Sequence, residues 1–166
     1  GITLGPGSFT KIRSSLSFAK GLALGLKIPL IGVNSFQKLF YATKLIFKKN
    51  VNLVLACDTF RNSVFYSVQS LNNKDFKNKI EIRNFDNFME IEGMYTDNNI
   101  FIVGDASIRV FQELENNGLI INNIIKPWDL YDEIGLKSLV KLALENFNNN
   151  ILNCDPVYIT EPITNK

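Results

Sequence analysis

The 166-residue chain contains no histidine. Without imidazole it cannot build a Ser-His-Asp or Cys-His nucleophile, lacks the side chain that serves most often as a general base, and cannot hold a metal through histidine. Cysteine is nearly as scarce: Cys57 and Cys154 lie far apart without metal-ligand spacing. They read as buried, reduced thiols of a cytosolic protein rather than a disulfide or zinc site. A marked excess of either charge is also missing, with 18 Lys and Arg against 16 Asp and Glu and no basic run, so no stripe tracks phosphates. Long apolar runs are absent too. Lys27 and Pro29 interrupt the richest one, so no membrane-spanning stretch and no signal peptide are expected. The expectation is a cytoplasmic protein that does not enter a membrane. The chain starts at Gly1 inside a strand-like segment and without an initiator methionine, which predicts a fragment or processed product whose upstream strands are missing.

What is present is ordinary in bulk and informative in detail. A hydrophobic fraction of 46% and a charged fraction of 20% fit a globular protein with one sizeable core or two small lobes. The first thirty-three residues read as a strand end, a Gly5-Pro-Gly7 turn, a helix from about Ser8 to Leu26, and a second strand ending at Val33. Phe9, Ile12, Leu16, Ala19, Ala23 and Leu26 recur at three- and four-residue steps and form an apolar seam. Opposite them lie Thr10, Ser14, Ser17, Gly21 and Gly25. Each interior glycine costs the helix about 1 kcal/mol relative to alanine, which predicts close approach of another backbone on that face.

Asn34, with Gln37 three residues on, predicts a capped helix whose inner face is Phe36, Leu39, Phe40, Thr43 and Phe47, ending near Lys48 and Lys49. The order strand, helix, strand, helix predicts a parallel α/β arrangement over residues 1–50. From Val51 to Cys57 the sequence suits a central strand. Residues Thr59 to Asn62 turn the chain, and Ser63 to Ser70 returns with Val64, Tyr66 and Val68 on one face. Lys79 to Asn84 suits an edge strand, Asn99 to Val103 another strand, and Leu119 to Ile125 a short one. Asp105 can cap a helix carrying Ile108, Phe111 and Leu114. Asp132 opens a last helix with Ile134, Leu139, Leu142, Ala143 and Phe147 as its apolar side, and Asp155 to Ile159 is extended. The expected division is a first lobe over residues 1–50 and a second over residues 51–166.

Each motif admits a plainer reading beside the functional one. Gly5, Gly7 and Ser8 stand at a strand-to-helix junction where backbone N–H groups and the helix dipole can receive a phosphate. The same residues make a tight turn with a Ser8 N-cap. The small-residue face can equally pack on another helix of the chain, and Lys11, Arg13 and Lys20 can simply be solvated. Arg13 stands out because its planar fork suits a carboxylate or phosphate at an interface. Asp58, Arg61 and Tyr66 are expected to cluster on the hairpin, as a catalytic carboxylate or as a stabilising charge pair. Glu81, Asp86, Glu90 and Glu92 read as surface, and Trp128 as a packing anchor.

At Gly5-Pro-Gly-Ser-Phe-Thr-Lys-Ile-Arg13, Ala19-Lys-Gly-Leu-Ala-Leu-Gly-Leu26 and Ile28-Pro-Leu-Ile-Gly-Val-Asn-Ser35 the chain closely resembles the bacterial TsaB (YeaZ) family. These are glycoprotease-like proteins of tRNA threonylcarbamoyladenosine synthesis. The match continues at Asp58, Arg61 and Tyr66, at Val103-Gly-Asp105 and at Pro156-Val-Tyr158. The resemblance implies an actin-like (ASKHA, ribonuclease H-like) ATPase fold of two related lobes, here expected to be truncated in the first. It implies a non-catalytic scaffold that holds the catalytic paralogue TsaD through a helix bundle, in a system that also contains TsaE. The helix after the Gly-Pro-Gly turn belongs to that interface, which assigns Arg13, Ser14, Ser17, Phe18, Gly21 and Gly25 to the partner surface. The same helix offers a route to a homodimer.

The catalytic paralogue resembles an enzyme that needs a His-x-x-x-His metal motif, which a chain without histidine cannot supply. No metal is expected and no cofactor is assigned. ATP or ADP is admitted only at a site shared within the complex, and contact with tRNA is expected to be indirect. Two departures from the family pattern stand out. Lys11 replaces a usual glycine, and the family's upstream strands, including a phosphate-contacting Asp-Thr hairpin, are not in the sequence. The rival readings are a glycoprotease-type peptidase or small ATPase of the same fold, and a truncated remnant without activity.

Overall fold

A computed structural model describes residues 1–47, 51–85, 100–116, 124–125, 133–147 and 154–159. Strand β1 (Ile2–Thr3) leads through the Gly-Pro-Gly turn into helix α1 (Phe9–Leu26) and back to β2 (Gly32–Val33), which pairs parallel to β1. Helix α2 (Ser35–Ile46) follows. Its start is fixed as the sequence predicts: the Asn34 side chain accepts hydrogen bonds from the N–H groups of Phe36 and Gln37 at 2.8 and 3.3 Å. Lys48 and Lys49 lie outside the described residues.

The larger sheet has the order β5-β4-β3-β6-β7, from β3 (Asn52–Arg61), β4 (Ser63–Ser70), β5 (Glu81–Asn84), β6 (Ile100–Val103) and β7 (Ile124–Ile125). β3 to β4 and β4 to β5 run antiparallel, whereas β3 to β6 and β6 to β7 run parallel. The apolar run beginning at Val51 takes the central position because its side chains are buried on both faces, as a strand between two helical layers requires. Leu53, Leu55 and Cys57 point to one face and meet Phe36, Leu39 and Phe40 of α2. Val54 and Ala56 point to the other, where they share a cluster with Val64, Tyr66, Ile102 and with Val110 and Leu114 of α3 (Ser107–Asn116). Burial of a side chain such as Phe36 or Phe40 contributes about 1.5–3 kcal/mol each, so these alternating contacts carry the fold.

Helix α4 (Glu133–Glu145) packs on α2 and β2, with Ser138 Oγ donating to the Lys38 carbonyl at 2.8 Å. Its inner face includes Leu142 and Ala143 as predicted. Phe147 differs: it lies past the last helical turn and is half exposed. Helix α3 starts two residues after Asp105, whose carboxylate instead accepts from the Asp58 N–H at 2.9 Å, tying the β6 end to β3. Asp132, Trp128, Asp86, Glu90 and Glu92 lie outside the described residues, as does most of the predicted strand that ends in β7.

Candidate functional site

The Gly-Pro-Gly turn is built by hydrogen bonds that continue the β1–β2 pairing. Leu4 N–H donates to the Val33 carbonyl and Ser35 N–H to the Gly5 carbonyl, both at 2.8 Å. Gly5 adopts φ +103°, and a Cβ there would meet Ile12 Cδ1 at 2.8 Å and the Val157 carbonyl at 3.2 Å, so only glycine fits. The Gly5–Pro6 peptide is cis. Of the three loop residues proposed to face phosphate, Gly7 reaches the neighbouring cleft, Gly5 is buried beneath it, and the Ser8 side chain does not cap α1.

Helix α1 lies shallowly on the fold. Ile12, Leu16, Ala19 and Ala23 of the predicted seam face inward, and Leu16 is the buried one. Phe9 and Leu26, the ends of that seam, are exposed because the helix extends beyond what it covers. The opposite face is open. Ser14, Ser17, Phe18, Gly21 and Gly25 are all exposed, Phe18 at 70%, and a Cβ on either glycine would meet nothing within 4 Å. The close backbone neighbour that the glycines call for is therefore not found within the described chain. Leu22 and Leu24 flank the stripe, Leu24 at 82% exposure. Their exposure was hidden in the sequence because leucine in a helix reads as core.

Arg13 stands to one side of this face. Its guanidinium stacks on the Phe9 ring at 3.9 Å, and its Nε donates to the Tyr158 hydroxyl at 2.8 Å. Tyr158 belongs to the 154–159 segment, which is held along β1 and α1 by Val157 N–H donating to the Leu4 carbonyl at 2.8 Å and by a loose Lys20–Asp155 pair. Arg13 is thus part of an intramolecular stack as well as an edge of the open face.

A cleft of about 470 Å³ opens beside the start of α1. Pro6, Gly7, Phe9 and Thr10 form one wall, Thr59, Arg61 and Ser63 of the hairpin a second, and Val157, Tyr158 and Ile159 the third. The expected hairpin cluster of Asp58, Arg61 and Tyr66 does not form. Asp58 accepts from the Phe60 N–H at 2.6 Å and lies 3.9 Å from Arg109 of α3, while the Tyr66 hydroxyl donates to Glu81 at 2.5 Å and accepts from Arg83 at 3.2 Å. Asp58 and Tyr66 share a face of the sheet but are taken by different partners, and the irregular register between Asp58 and Arg61 turns Arg61 away. Glu81 is more than surface: the Tyr66 hydroxyl and Lys79 hold its carboxyl below the usual range.

Arg109 also donates to the Arg61 carbonyl and the Asn62 side chain and stacks on Phe85 at 3.8 Å, so it fixes the hairpin tip. No sequence signal marked it. Cys57 and Cys154 are buried free thiols as expected, and burial raises the pKa of both. Among the described residues no three His, Cys, Asp or Glu side chains gather as metal ligands, and no helix is long and apolar enough to cross a membrane.

Comparisons with known proteins converge on one group. A family model described as TsaD, tRNA N6-adenosine threonylcarbamoyltransferase, matches residues 1–114. A tRNA threonylcarbamoyladenosine biosynthesis protein TsaB from Haemophilus influenzae is 27% identical over 96% of this chain and 69% of its own length. TsaB from Escherichia coli is 52% identical over 33 residues, which are 20% of this chain and 14% of that protein. A tRNA N6-adenosine threonylcarbamoyltransferase from Clostridium beijerinckii is 57% identical over 37 residues, 22% of this chain and 11% of that protein. The matches to these last two thus span only a small part of their length. YeaZ from Pseudomonas aeruginosa has a TM-score of 0.67 at 15% identity, covering 95% of this chain and 72% of that one. An uncharacterized Pseudomonas aeruginosa protein with similarity to peptidase YeaZ gives 0.65 at 17% identity, over 95% and 71%. The fold is therefore the actin-like α/β fold of those structures.

Proposed function

We propose a function from the family to which this chain belongs, that described as TsaD, tRNA N6-adenosine threonylcarbamoyltransferase, on its TsaB (YeaZ) branch. The chain is a non-catalytic scaffold of tRNA threonylcarbamoyladenosine synthesis that docks the catalytic paralogue, with a TsaE-type protein in the same system. The observation that carries this reading is the outward face of α1. Ser14, Ser17, Phe18, Gly21 and Gly25 form an open strip in which small residues flank one exposed aromatic ring. Two helices approach closely where glycine removes side-chain bulk, and Phe18 supplies the large apolar anchor such interfaces favour. Arg13 borders the strip with its stack already ordered by Phe9 and Tyr158, so little rotamer entropy is lost when a partner carboxylate meets it. The same strip would serve a homodimer when the paralogue is absent.

The absence of histidine supports a scaffold rather than the catalyst. The loop at Gly7 and Ser8 stays a candidate for a phosphate at a site completed within the complex. Residues 1–50 and 51–166 are taken as the two lobes.

The reading is tested in cells depleted of their own TsaB-family protein, with threonylcarbamoyladenosine in tRNA measured by nucleoside mass spectrometry. The parent chain restores the modification, and the Gly21→Leu/Gly25→Leu variant does not. ATP or peptide turnover by the purified chain alone, lost on Asp58→Ala, would overturn the scaffold reading in favour of an enzyme.

A further inference from the structure

Beside the docking face, at the cleft between the start of α1, the β3–β4 tip and the 154–159 segment, exposed aromatic rings and cations stand together. Phe60 is 60% exposed at the tip, held there with φ +60° by the Asp58 carboxylate accepting its N–H. A large apolar side chain on a left-handed backbone position, turned to solvent, contributes nothing to the core and costs about 1 kcal/mol or more. Lys11 Nζ lies 5.3 Å from the centre of its ring. Phe9 and Tyr158, each 41% exposed, line the cleft with centroids 5.6 Å apart, and Arg13 lies against both. Arg61 is the one charged residue among the described residues lining the cleft.

Lys11, Arg13 and Arg61 have no carboxylate partner among the described residues. The nearby acids are engaged elsewhere: Asp58 with the Phe60 amide and Arg109, Asp155 with Lys20. Thr59 and Ser63 add hydroxyls to the same wall. Open ring faces for bases, interleaved with cations for phosphates, are the two requirements of a single-stranded nucleic acid. A duplex would satisfy only the second, because its bases are stacked away.

We propose that this cleft and the Phe60 tip bind an unpaired segment of RNA, with bases on Phe60 and Tyr158 and phosphates on Lys11, Arg13 and Arg61. This departs from the expectation that tRNA is met only indirectly. It rests on the tRNA-modification reading only in choosing RNA over DNA. The strip of Ser14, Ser17, Phe18, Gly21 and Gly25 is not used, and Arg13 at its edge is the one residue that the RNA site and the protein interface share.

The test follows the fluorescence anisotropy of a labelled, mixed-sequence single-stranded RNA of about ten nucleotides titrated with the full chain at low salt. The parent binds saturably. Phe60→Ala weakens binding about tenfold or more, as loss of one stacked base requires, and Phe60→Trp restores it. Arg61→Ala lowers the slope of log affinity against log salt by about 0.7. Both positions are exposed, so the thermal melts of the variants match the parent. No binding by the parent, binding indifferent to Phe60→Ala, or complete displacement by an equimolar mononucleotide would overturn the inference. Phe60→Ala leaves α1 intact and retains capture of the catalytic paralogue, so failure of the RNA site and failure of the scaffold reading register separately.

Discussion

Asp105 shows how one side chain links two strands at a definite electrostatic cost. Burial and the nearby Asp58 charge raise its pKa, while hydrogen bonds from the Asp58 and Ala106 amides oppose the shift. A carboxyl whose folded pKa lies above its unfolded value favours folding below the unfolded pKa, and that contribution is lost as pH rises through the folded one. Asp105→Asn keeps the oxygen that accepts from Asp58 and removes the charge that faces the Asp58 carboxylate. The variant should be more stable than the parent at neutral pH, with the difference shrinking in mild acid, as read from urea midpoints. Beside it, Gly104 holds φ +124°, and a Cβ there would fall 1.9 Å from the Ala56 carbonyl oxygen. The sequence placed Gly104 and Asp105 at a strand end but gave no sign of that approach, because it depends on β3 lying against β6. The expected grouping of Asp58 with Arg61 and Tyr66 failed for the same kind of reason. A register irregularity separates Asp58 from Arg61, and the partners that take Asp58 and Tyr66, Arg109 and Glu81, come from other elements.

At the scale of elements, the regular periodicities were legible. The inner face of α2, the central position of β3, the β4 face with Val64 and Tyr66 and the β1–α1–β2 parallel unit all follow from the apolar pattern and the Asn34 cap. Helix α1 was legible only in part. The period identified its inner face, while the exposed Leu22, Leu24 and Leu26 could not be told from core leucines without knowing how little of the helix the fold covers. The cleft was not legible, because its walls come from three distant segments and its third wall, residues 157–159, is set by hydrogen bonds to Leu4 and from Arg13. The open surroundings of the two glycines give an element-scale prediction. Gly21→Ala/Gly25→Ala removes a helix penalty and creates no clash, so it should stabilise the isolated chain by about 1–2 kcal/mol in a reversible melt. A decrease would mean that the glycines serve the chain's own packing.

For the whole molecule, the layers α2, sheet and α3 form the core, with α1 and the outer side of α4 at its margin. Leu136, Val140 and Leu144 on α4 are also exposed, flanked by the Glu133–Lys137 and Lys141–Glu145 pairs at 2.5 and 3.9 Å. Exposed helix faces of this kind are what a subunit of an assembly presents, and on α1 the glycines single out which face admits another helix closely. We propose that this face docks the catalytic paralogue. The most direct test is the dissociation constant between the purified chain and that paralogue, measured for the parent and for Gly21→Leu/Gly25→Leu after both are shown to melt cooperatively. Saturable binding by the parent, and its loss in the variant by about a hundredfold or more, comparable to loss of an interface hot spot, is the predicted result. Equal affinity for both proteins would contradict it.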